Sequence, residues 1–289
     1  MSLLLEILSP DFLLRNALYG GLIIGFVAPL VGVYLVGRRM VFLAVALPQV
    51  STAGVAGAFF WHTLFHQGEP HEGDFWLALA GSTSFTLAAI VGLAVWDSRS
   101  RGRADERTGV LYAFTGALSL LLVASDRIAE IGILGLLKGE IIAISGSELL
   151  VLALGYAVIV AALWLFKQDL LLVSADRDLA RSFGKNVLAW DFALYGIVGT
   201  TISLGVLLVG PLVMFGFLIV PPLVAGRLVT GIRYVPLVAS LVGGLTAFAG
   251  FVISYILDWP MGPTDVALGC VVLALVVASQ AVLGWLRRA

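Results

Sequence analysis

Apolar runs of near-membrane length dictate what this chain can become. A hydrocarbon core of about 30 Å is crossed by roughly 20 residues of helix. Runs of that length recur near 12–36, 41–62, 75–96, 108–124, 147–166, 190–208, 211–229, 235–257 and 264–286. Lipid offers no partner to a backbone amide, so each run must close its own hydrogen bonds as a helix. Composition agrees: 60% of the 289 residues are hydrophobic and 12% are charged, whereas soluble domains carry about 25% charged residues. The expected fold is all-α, a polytopic transmembrane bundle of about nine spans forming a single domain over 1–289.

Charge placement orients these spans. Basic residues collect in cytoplasmic loops. If the loop with Arg38 and Arg39 is inside, so are Arg99, Arg101, Arg103, Arg107, Lys167, Arg177, Arg181, Lys185, Arg227, Arg233, Arg287 and Arg288, which makes fourteen of the 17 basic residues. This holds only if 128–145, a short apolar stretch with Glu130, Lys138 and Glu140, does not cross. The sequence therefore predicts a re-entrant or outer-side helix there, with the N-terminus outside and the C-terminus in the cytoplasm.

The polar residues that remain are few. The longest inner interruption, 167–189, contains a run from Ser174 to Gly184 that reads as a short capped helix. Ser174 is its expected N-cap, Asp176 and Asp178 lie in its first turn and Gly184 is its C-cap. Such a helix suits either a surface connector or a docking element. In the second span Pro48 removes an amide donor, and Gln49, Ser51 and Thr52 either line a polar path or bond to neighbouring helices. Glu140 is a charged group at membrane depth: it is a candidate path residue, or else it pairs with Lys138 or snorkels to the interface. Asp258, before Trp259-Pro260-Met261-Gly262-Pro263, reads as part of a tight outer turn. The outer loop holds His62, His66 and His71, weak candidate ligands for a divalent metal. Lone Cys270 reads as a packing residue.

Several classes are excluded or unsupported. A net charge of −1 gives no general pull toward nucleic acid. No GxxxxGK[ST], HExxH or GxSxG motif is present, so the chain is not expected to be an enzyme or to hydrolyse ATP.

Five motifs in order carry a family resemblance. They are Gly37-Arg38-Arg39-Met40-Val41-Phe42, Gly109-Val110-Leu111-Tyr112-Ala113, Gly139-Glu140-Ile141-Ile142-Ala143-Ile144-Ser145, the stretch Asp176 to Val187 of type D-x-x-x-A-R-x-x-G-x-x-V, and Leu257-Asp258-Trp259-Pro260-Met261-Gly262-Pro263. Together they resemble the membrane permease subunits of ATP-binding-cassette importers of the zinc/manganese/iron class. The resemblance implies a fold similar to the vitamin B12-type importer permease, set in the membrane lipid of a bacterial inner (plasma) membrane. It implies a homodimer with the path along the shared interface, two cytoplasmic ATPase subunits that carry ATP-Mg, and an extracytoplasmic substrate-binding protein. No cofactor is implied in this chain. The segment at about 174–185 would be the coupling helix, with Asp176, Arg177, Asp178, Ala180, Arg181 and Gly184 as its matching residues.

The sequence departs from the family in the second span. A D-A-L-x-H pattern there supplies an acid and a histidine one turn apart; here those positions are Val45 and Gln49. The run Gly210-Pro211-Leu212 to Pro221-Pro222 is also partly similar to permeases for iron–siderophores and cobalamin. The expected function is import of a divalent metal ion (zinc, manganese or iron). The alternatives are import of a metal chelate or small organic ligand through the same architecture, or a secondary transporter driven by an ion gradient.

Overall fold

The computed structural model describes residues 14–65, 74–99, 104–125, 145–231 and 233–286, and no strand occurs among them. The helices are α1 (Arg15–Gly37), α2 (Val41–Phe65), α3 (Asp74–Arg99), α4 (Ala104–Ser125), α5 (Gly146–Leu165), α6 (Lys167–Ala175), α7 (Arg177–Ser182), α8 (Val187–Leu228), α9 (Val235–Leu257) and α10 (Met261–Leu286).

Eight of the described helices are long and apolar enough to cross a bilayer. The longest, α8, has 42 residues and would measure about 63 Å if straight, twice the hydrocarbon core. It breaks at Gly210, which stands at φ 76°, ψ 169°, a conformation that a side chain makes costly. Pro211 beside it offers no amide hydrogen. The chain reverses at this point. Met214 Sδ crowds the position that a Cβ on Gly205 would take, although the two residues would lie about 13 Å apart along a straight helix. Asp191, near the start of the first arm (187–209), pairs with Arg38. Gly226, near the end of the second arm (211–228), lines one cavity with Gly37 and Ser174. Both arms therefore have one end beside Arg38, and α8 makes two passes. With the seven other long helices this gives nine passes among the described residues, the number the apolar runs predict.

The same logic fixes the connection that charge counting singled out. Gly109 at the start of α4 abuts Phe42 at the start of α2, so α4 leaves the Arg38 end and Ser125 stands at the other. Phe166, after α5, packs edge-on against Trp190, so α5 arrives at the Arg38 end from the opposite side. Ser125 and Ser145 thus share one end of the bundle. The helix expected at 128–145, with Glu140, lies outside the described residues. Gln280 of α10 donates to the carbonyl of Arg227, so the last helix also runs toward the Arg38 end.

Helix ends depart from the apolar limits. The expected inner loop 97–107 shrinks, because α3 continues to Arg99 and α4 starts at Ala104. A helix closes its hydrogen bonds as readily beyond the lipid as within it, so hydropathy marks the membrane edge and not the helix end. At the other face, Asp258 caps α9 in the left-handed conformation at φ 54°, ψ 41°. The Ser254 hydroxyl donates to the carbonyl of Trp259, so the expected turn forms.

Packing is uneven. Of the apolar window in α8, 78% is buried, against 6% in α10 and 17% in α4. Ile24, Leu35, Leu47, Leu152, Leu194, Ile202, Met214 and Leu218 make the centre. Because lipid is as apolar as leucine, helices gain from close backbone approach. At the α1–α9 crossing a Cβ on Gly25 would meet the backbone of Gly243, and one on Gly243 the backbone of Gly25. Gly54 and Gly81 stand in the same reciprocal relation between α2 and α3. Gly25→Val is expected to lower the thermal unfolding midpoint in detergent, costing roughly 1–3 kcal/mol through overpacking. Gly92→Val, where nothing lies within 4 Å, should leave the midpoint nearly unchanged.

Candidate functional site

The second span carries its polar residues on two faces. Gln49 is half-buried and faces α4: its Nε2 donates to Ser119 Oγ at 3.3 Å, and Ser119 donates to the carbonyl of Gly116 at 2.9 Å. Val45, one turn before Gln49, is also half-buried. Ser51 and Thr52 lie deeper. Ser51 is fully buried, with its hydroxyl 2.7 Å from that of Ser82 on α3, and Ser82 donates to the carbonyl of Ser203 on α8. Thr52 donates to the carbonyl of Pro48 one turn back. The structure thus separates Gln49 from Ser51 and Thr52.

A polar seam on α4 escapes a reading of the second span alone. Thr108, Thr115 and Ser119 are its buried polar residues. Their spacing of seven and four places them on one helical face, a signal the sequence does carry. Next to the serine cluster, the hydroxyls of Ser203 and Thr86 are buried without a partner. His62 sits near the end of α2, while His66 and His71 lie outside the described residues. Among those described, no group of three or more His, Cys, Asp or Glu side chains could hold a metal ion together.

At the Arg38 end a second feature is built around α7. The expected N-cap Ser174 lies inside α6 instead, and its hydroxyl accepts from Arg38 Nε at 2.9 Å. Asp176 caps α7: its Oδ1 accepts from the amides of Asp178 and Leu179 at 2.9 and 3.0 Å. At the other end Gly184 takes φ 71°. Its amide bonds to the carbonyl of Arg181, and that of Lys185 to the carbonyl of Ala180, the pairing of a Schellman cap. Arg177 opens the helix. Ala180 is buried against Val173 and Val187, and Lys185 pairs with Asp169 of α6 at 2.7 Å. Asp178 and Arg181 pair in the open at 2.9 Å, where such pairs contribute little. Around them Leu179 and Phe183 project into solvent.

This mount is anchored by one ion pair. Arg38 Nη1 lies 2.5 Å from Asp191 Oδ1, with side chains 5% and 13% exposed. The pair joins the end of α1 to the start of α8, and Ser174 adds α6. Removing one partner of a buried pair strands the other charge, at a cost of roughly 3–5 kcal/mol. Asp191→Leu alone, or Arg38→Met alone, should therefore unfold at a markedly lower temperature. Arg38→Met combined with Asp191→Leu should recover much of that loss, measured as a double-mutant cycle of thermal midpoints.

Comparison with known proteins follows this architecture. A probable metal transport system membrane protein of Thermotoga maritima is 26% identical over 258 residues, covering 89% of this chain and 86% of that protein. The high-affinity zinc uptake system membrane protein ZnuB of Haemophilus influenzae is 25% identical, covering 90% and 93%. The manganese transport system membrane protein MntC of Listeria monocytogenes is 22% identical, covering 93% and 91%. Among solved structures, PsaBC from Streptococcus pneumoniae, in complex with Fab, superposes with a TM-score of 0.79 at 21% identity over 92% of this chain and 91% of that one. The ABC 3 transport family model matches residues 11–281. The chain belongs to the ABC 3 transport family.

Proposed function

We propose that this chain is the membrane permease of an ATP-binding-cassette importer for a divalent metal ion. The observation that carries the reading is α7: a capped helix at the Arg38 end, seated by Ala180 and offering Leu179 and Phe183 outward. On this reading the Arg38 end is cytoplasmic, a separate ATPase receives α7, and two copies of the chain form the path. The family match and the relatives named for manganese and zinc transport support it. A binding protein on the opposite side would deliver the cargo. This chain's part is mechanical: ATP-driven motion of the partner moves α7, and the Arg38–Asp191 pair passes that motion to α1 and α8.

A second cargo reading has its own observation. Positions 45 and 49 are valine and glutamine, and Gln49 is a neutral side chain already bonded to Ser119. Imidazole and thiolate favour zinc, and a carboxamide is a poorer ligand. A chelate or small organic ligand would need neither charge.

Two measurements test the proposal. Elemental analysis of the cognate binding protein, purified from cells, should find manganese, zinc or iron; an organic ligand instead would select the second cargo reading. Phe183→Glu should leave the thermal midpoint of the permease unchanged, because the side chain is exposed. It should also cut copurification of the ATPase and metal uptake by about tenfold or more, as truncating an interface anchor worth over 1.4 kcal/mol does. Full ATPase recovery with unchanged uptake would show that α7 is not the docking element.

A further inference from the structure

Asp265 is a carboxylate in the wrong kind of place. It is the fifth residue of α10, past the first turn whose free amides a carboxylate could cap. Its side chain is 2% exposed, and both carboxylate oxygens are buried with no hydrogen-bond partner. An ionised carboxylate is too costly to bury alone, so the group must take up either a proton or a cation. The three elements around it supply no positive charge nearby: α9 and α10 contain no basic residue, and the only one in the second arm of α8, Arg227, lies at the Arg38 end.

The surroundings are shaped for the carboxylate. Asp265 lines a small space of about 10 Å³ with Gly216, Phe217, Val220, Pro221, Thr246 and Gly269, close to the size that holds one water molecule. Three helices each contribute a pair one turn apart. On α9 these are Thr246 and Gly250, and a Cβ on Gly250 would collide with Asp265 Oδ1. On the second arm they are Phe217 and Pro221, and on α10 they are Asp265 and Gly269. Pro221 has no amide hydrogen, so the carbonyl of Phe217 loses its helical donor. Pro222 does the same to Leu218, whose carbonyl instead abuts Gly32 of α1. Thr246 spends its proton on the carbonyls of Val242 and Gly243, so its oxygen is left as an acceptor.

We propose that Asp265, Thr246 and the freed carbonyl of Phe217 form a binding site for one small monovalent cation of sodium's size. The donors are all oxygen, which suits a hard cation. One carboxylate matches one positive charge, so the occupied site is neutral within the membrane. Carbonyls freed from a helix are the groups that coordinate sodium in other membrane proteins. The site is separate from the Gln49 face and does not depend on the cargo.

The test uses the full chain in lipid nanodiscs, with thermal unfolding followed in sodium, potassium and choline chloride at equal ionic strength. Sodium should raise the midpoint saturably, by mass action on the folded state, and choline should not. Asp265→Asn, nearly isosteric, should remove the sodium response. Thr246→Ala keeps the carboxylate and should shift the sodium half-saturation several-fold upward; it decides the matter if Asp265→Asn fails to fold. Equal midpoints in sodium and choline, a sodium response retained in Asp265→Asn, or an unchanged half-saturation in Thr246→Ala would each overturn the site.

Discussion

The reversal at Gly210 is the constraint on which the rest of this molecule depends. It turns one 42-residue helix into two passes, returning the chain to the end it left. The second arm is thereby placed against α1, α9 and α10, and the first against α3 and α5. Without the turn, α8 would overrun the hydrocarbon core by about its own half-length. Every later helix would also exchange its ends, and Arg227 would be carried away from the Arg38 end. A single backbone conformation that suits glycine thus sets both the topology and the centre of the core.

Much of this is legible in the sequence, because lipid simplifies the problem. Where all backbone groups must be closed internally, an apolar run of sufficient length has essentially one fate. Arginine placement then predicts parity, and among the described residues Ser125 and Ser145 share one end of the bundle, as that prediction requires. Boundaries are less legible. Ser174 and Asp176 are both good N-cap residues two positions apart, and local preference cannot choose between them. The choice is made by Arg38, 136 residues away, which takes the Ser174 hydroxyl and leaves Asp176 to cap. Similarly, α3 and α4 run on past the apolar limit because nothing in water stops them.

The buried polar groups are the least legible part. Asp265 sits in a run that reads as an ordinary span. Its importance emerges only when Gly250 and Pro221 are brought beside it from two other helices. The seam of Thr108, Thr115 and Ser119 on α4 is periodic and could have been found. What it faces, Gln49, depends on which helices are neighbours, and hydropathy carries no information on that. Spans are one-dimensional properties, whereas sites arise where several helices meet.

The mount of α7 has a mechanical meaning. Six helical residues are about 9 Å long, and both ends are closed, by the Asp176 cap and the Gly184 turn. Lys185 is tied back to Asp169 and Ala180 is sunk into the body. No slack segment lies between the exposed tip at Leu179 and Phe183 and the ion pair behind it. A push on that tip is therefore delivered as a torque about Ala180, and the stiff members that receive it are α6 and the first arm of α8. The element is built as a short lever on a fixed fulcrum.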